Sequence, residues 1–115
     1  MRIAEIYNFK CAVSDTKVLS ALESAHIVPF ARGGDHSPTN GMLLRKDIHA
    51  VFDEGFATID SEGKFVVSNR VRTVFNNGHE YLRLAGKPIS IPIIAELRPS
   101  PATLEWHRQN IFLGD

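Results

Sequence analysis

Ile3, Ile6 and Tyr7 recur at helical spacing in an opening stretch without breakers, which predicts a short amphipathic helix over residues 2 to 9. A helix this short is marginal alone, so a longer predecessor is expected if the chain starts at a module boundary. Ser14-Asp15-Thr16 makes a turn. From Val18 to Val28 apolar residues alternate with small or polar ones until Pro29 closes the run, predicting a strand that ends near Val28. Residues 30 to 40 gather Gly33, Gly34, Asp35, Ser37, Pro38 and Asn40, the chemistry of an Ω-loop, and Gly41-Met42-Leu43-Leu44 returns as a short strand. Asp47 then offers an N-cap for a short helix with Ile48, Val51 and Phe52 as its buried stripe and Gly55 at its stop.

Two further apolar runs, Phe56 to Asp60 and Phe65 to Ser68, are joined by Ser61-Glu62-Gly63-Lys64, a hairpin signature. Residues 70 to 98 show no clean period, because Asn76-Asn77-Gly78 and the prolines between Pro88 and Pro99 interrupt them. Ser100-Pro101 is an N-cap followed by proline at the first helical position, and Leu104, His107 and Ile111 share one face of the helix it opens. The pattern describes one α+β domain over residues 1 to 115, with no internal repeat.

Composition narrows the partners. The chain has 115 residues, 43% of them hydrophobic and 23% charged, which suits a single folded core. Thirteen Lys and Arg against thirteen Asp and Glu leave no global positive field, so any polyanion site must be local. The single cysteine, Cys11, excludes an internal disulfide and a zinc ribbon of paired knuckles and fits a reducing, cytoplasmic setting. No segment approaches the roughly 20 apolar residues that span a bilayer, so no membrane partner is expected.

The polar residues between Glu23 and Asp53 carry the chemistry. His26 closes a strand, Asn40 closes the loop, His49 lies on the short helix and Asp53 follows one turn later. On a helix, positions i and i+4 face the same way, so His49 and Asp53 can address one ion, and imidazole with carboxylate is an ordinary ligand pair for a divalent metal. Asp53 and Glu54 also sit at a helix C-terminus, where the dipole disfavours negative charge by up to roughly 1 kcal/mol; a bound cation reverses that penalty.

The segments CAVSD, SAHIVPFARGGD and TNGMLLRKDIHAVFDEG resemble the His-Asn-His (HNH) endonucleases of the ββα-metal fold, in the branch reading AHI(I/V)P…GGD…NG..L….H..FD.G. The resemblance is densest over about residues 11 to 60, and LEWHRQNIF is similar to that branch's last helix. It implies a ββα-metal core with an added β-hairpin and terminal helices. It also implies hydrolysis of a DNA phosphodiester with one divalent cation, Mg²⁺, Mn²⁺, Ni²⁺ or Zn²⁺. In such a site His26 is the general base, since an imidazole titrating near ~6.5 accepts a proton at neutral pH. Asn40 constrains it by tying the loop across the strands, and His49 and Asp53 hold the metal. Arg32, Arg45 and Lys46 flank the site as phosphate contacts, with Arg70 and Arg72 as further candidates.

One position departs from the family. Many relatives carry a metal ligand immediately before the base, where this chain has Ala25. Residues two apart on a strand share a face, so Glu23 is the provisional third ligand; if water fills the position instead, Mg²⁺ or Mn²⁺ suits it better than Zn²⁺. The competing readings are a ββα module that binds DNA or a partner without turnover, and one piece of a larger restriction or defence protein with a fused or associated recognition domain. His36 reads as a solvated loop residue, His79 as a turn residue, His107 as a packing residue, Trp106 as a core or partner contact and Cys11 as a small buried group.

Overall fold

A computed structural model describes residues 3–114. Helix α1 (Ile3–Ile6) opens the chain, followed by β1 (Leu22–His26), β2 (Gly41–Arg45), α2 (Lys46–Asp53), β3 (Ala57–Ile59), β4 (Phe65–Val67), α3 (Arg70–Phe75), α4 (His79–Leu82) and α5 (Pro101–Asn110). Two antiparallel hairpins result, β1 with β2 and β3 with β4. In the first, Glu23 pairs with Leu44, Ala25 with Met42 and His26 with Gly41. Both α1 and α2 pack on this hairpin, so β2 is buried from Gly41 to Leu44. Ile48 and Phe52 of α2 complete the core with Ala25, Ile27, Met42, Leu44, Ile59 and Phe65.

Several elements are shorter than the hydrophobic pattern implied. The first helix covers Ile3–Ile6 because Asn8 and Phe9 adopt left-handed backbone that ends it; Arg2 lies outside the described residues. The strand expected from Val18 begins at Leu22. Val18 and Leu19 are exposed and residues 19–21 form a 3-10 turn, so the alternation there had no core to face. Helix α2 starts at Lys46 with Arg45 as N-cap, not at Asp47. Asp47 sits in the first turn, where its carboxylate accepts from Arg45 Nε (2.6 Å) and Nη2 (3.0 Å) and from the Tyr81 hydroxyl (2.9 Å). The chain between 70 and 98, which had no readable period, holds α3 and α4, and His79 opens α4. Helix α5 follows its sequence signal: Ser100 Oγ accepts from Thr103 N at 3.1 Å and Pro101 takes the first turn.

Candidate active site

The loop between β1 and β2 contains two 3-10 turns, Phe30–Arg32 and Pro38–Asn40, and Asn40 holds it shut. The buried Asn40 amide accepts from Val28 N (2.8 Å) and donates to Val28 O (3.0 Å) and Asp35 O (2.9 Å). Its backbone carbonyl accepts from Ile27 N at 3.0 Å, extending the ladder one step past His26. Gly34 is required at the crossing, since a Cβ there would lie 1.8 Å from Val28 O. His26 therefore leaves the end of β1 from a braced backbone.

His26, His49 and Asp53 line one open cleft of about 230 Å³, with Pro29 and Phe30 on its rim. The i, i+4 register of α2 brings Asp53 Oδ2 to 3.0 Å from His49 Nε2. Glu23 Oε1 reaches the same ring from the other side, 2.7 Å from Nδ1. The Asp53 hydrogen bond, opposed by burial and reinforced by Glu23, raises the His49 pKa above its ordinary value. Glu23 does not line the cleft. It is exposed on β1 and bonds the His49 imidazole of α2. Among the described residues no three His, Cys, Asp or Glu side chains converge as a ready metal cage.

The basic residues lie elsewhere. Arg45 is paired with Asp47, the Arg32 guanidinium stacks over the Trp106 ring at 5.1 Å, and Lys46 is exposed at the start of α2. None of the three lines the cleft. Arg70 and Arg72 are exposed on α3. His36 is exposed, as a solvated loop residue should be, and it also makes a contact the sequence did not signal: its Nδ1 lies 2.9 Å from His26 Nε2. Nothing in the periodicity signals this, because the contact is made by a loop folded back through Asn40.

Residues 11–60 match the family model described as HNH endonuclease. Over this stretch the chain is similar to the HNH endonucleases. The structure of a modification dependent TagI restriction endonuclease superposes on 95% of the chain with a TM-score of 0.70 at 18% identity, a likeness of fold. The chain spans 35% of the length of that protein, and no curated protein matches it.

The matched segment contains both strands of the first hairpin, α2 and β3, and with them the cleft residues His26, Pro29, Phe30, His49 and Asp53. What lies beyond it supports α2 from behind. His107 of α5 is buried, with its ring stacked on Phe52 at 3.7 Å. Its Nε2 donates to Phe52 O (3.0 Å) and its Nδ1 accepts from the Thr58 hydroxyl (2.7 Å). Burial pushes its pKa down to about 4. The residue next to Phe52 is Asp53, so α5 fixes the end of the helix that carries the carboxylate. No helix among the described residues is long and apolar enough to cross a membrane.

Proposed function

We propose that this HNH domain is a metal-dependent DNA endonuclease with a ββα-metal core formed by β1, β2 and α2. The observation that carries the reading is the convergence of His26, His49 and Asp53 on one cleft. His49 Nε2 and Asp53 Oδ2 are adjacent donors on that cleft, and they fit a divalent cation that completes its shell with water and phosphate oxygens. Glu23 is better suited to orienting His49 through Nδ1 than to ligating, the carboxylate–imidazole arrangement that fixes a ligand's ring and raises its basicity. When bound, the cation supplies Lewis-acid stabilisation of charge on the phosphoryl oxygens and the leaving group. His26 takes the proton of the attacking water, and Asn40 holds the loop that keeps His26 in place.

The restriction endonuclease of like fold supports DNA as the substrate, and its greater length supports a recognition domain elsewhere in a larger protein. Because no Lys or Arg among the described residues lines the cleft, Arg32, Lys46, Arg70 and Arg72 would contact phosphates beyond the scissile one, with weak, salt-sensitive binding by this domain alone. The test is nicking of supercoiled plasmid with Mg²⁺, Mn²⁺ or Ni²⁺. Wild type nicks, whereas His26→Ala folds and does not. A folded wild type inert with every metal would favour a binding module without turnover.

A further inference from the structure

A general base needs one ring nitrogen kept unprotonated, and an imidazole has two from which the proton can be lost. In this chain the choice is tied to a second histidine. His26 Nε2 and His36 Nδ1 are 2.9 Å apart with the rings edge to face, centroids 4.9 Å apart and planes at 68°. His36 in turn stacks on Phe30 at 5.1 Å and 17°. Its position is set from both sides. Asp35 O accepts from the buried Asn40 amide, and Asp35 Oδ1 accepts from Ser37 N (3.0 Å) and Ser37 Oγ (2.6 Å). His26 borders two hollows: the cleft with His49 and Asp53, and a smaller one of about 40 Å³ that His36 lines. His36 lines only the latter, so it stands behind the base and not beside the ion site.

We propose that His36 is a positioning residue that accepts the Nε2 proton of His26, leaving Nδ1 as the nitrogen that takes the proton from water. This rests on the nuclease reading and adds the atom at which the base acts. The protons balance in one way. With neutral rings, His26 Nε2–H donates to His36 Nδ1, and His36 keeps its own proton on Nε2. The reverse pairing would put the His26 proton on Nδ1 and leave as acceptor only Nε2, already occupied by His36. Once water gives its proton to Nδ1, the His26 imidazolium donates through Nε2 to neutral His36, a charge-assisted bond stronger than the neutral one it replaces. His36 thus favours the protonated form of the base as the reaction needs it, and its stacking on Phe30 fixes the direction in which Nδ1 accepts.

Three variants and two readouts test this. His36→Ala and His36→Phe both remove the acceptor, the second keeping a ring to stack on Phe30. His36→Asn keeps an oxygen near the place of Nδ1. In plasmid nicking, the Ala and Phe variants should lose about 10- to 100-fold in kcat with KM unchanged, while Asn recovers to within a few-fold of wild type. Wild-type rates in both Ala and Phe variants, or no rescue by Asn, would overturn the proposal. Separately, a two-bond ¹H–¹⁵N correlation spectrum of the neutral wild-type domain should show the His26 proton on Nε2, and a proton on Nδ1 would overturn the proposal without reference to activity. A folded wild type that fails to nick with any of the metals removes the nuclease reading, and the spectrum still decides whether His36 sets the ring state of His26.

Discussion

His107 makes the stability of this domain depend on pH in a defined window. Its pKa is about 4 in the folded chain against roughly 6.5 unfolded, so between those values the unfolded chain binds the proton first. Its contribution is whole above pH 6.5, falls as the pH drops toward 4 and is gone below that. At about 1.4 kcal/mol per pH unit, acidification from pH 7 to pH 4.5 should remove roughly 2 to 3 kcal/mol. His49 works in the opposite sense. Its pKa is raised by Asp53 and then Glu23, so its contribution is present below pH 6.5 and lost as the pH rises through its folded value. It is therefore flat across the acid window. The assay is urea unfolding at pH 7.0, 6.0, 5.0 and 4.5, comparing wild type with His107→Gln, whose amide offers a donor and an acceptor without titrating. The stability margin of wild type over the variant should shrink by that amount at the acid end. A margin independent of pH would mean that His107 takes its proton freely in the folded state and that its bonds to Phe52 and Thr58 do not hold it neutral.

Three further outcomes follow from the loop and the cleft. Asn40→Ala strands Val28 N, Val28 O and Asp35 O, which should cost about 2 to 4 kcal/mol in urea unfolding and abolish nicking; a stable, active variant would contradict the role given to this amide. Gly34→Ala forces a methyl against Val28 O, so thermal unfolding should show a loss of about 1 to 3 kcal/mol, and an unchanged midpoint would mean the crossing is looser than described. Glu23→Gln keeps a hydrogen bond to His49 but removes its charge; calorimetric titration should show Mn²⁺ affinity about tenfold weaker with the fold intact, and equal affinity would dissociate Glu23 from the ion site.

The hairpin, the loop and α2 were readable because local signals agree there. Pro29, the Gly33-Gly34 pair and Gly55 punctuate the chain where it turns, and Ile48 and Phe52 fall on the face that is buried. The resemblance of the motif supplied the candidate roles; the spacing alone supplied only the shared face of His49 and Asp53. What the sequence could not carry was set by contacts between distant segments. Val18 and Leu19 alternate like a strand yet lie outside the core, and Asp47 looks like a cap until Arg45 and Tyr81 claim its carboxylate. The partner of Glu23 depends on how α2 lies across β1, and that of His36 on how a loop closes, and neither leaves a periodic trace.

The most direct measurement is the position of Mn²⁺, located by its anomalous scattering in crystals of this domain. The account predicts one ion in the cleft bonded to His49 Nε2 and Asp53, with Glu23 still on His49 Nδ1 and His26 across the cleft but not bonded to the metal. An ion held by Glu23 on the far side of the ring, or by His26 itself, would contradict it.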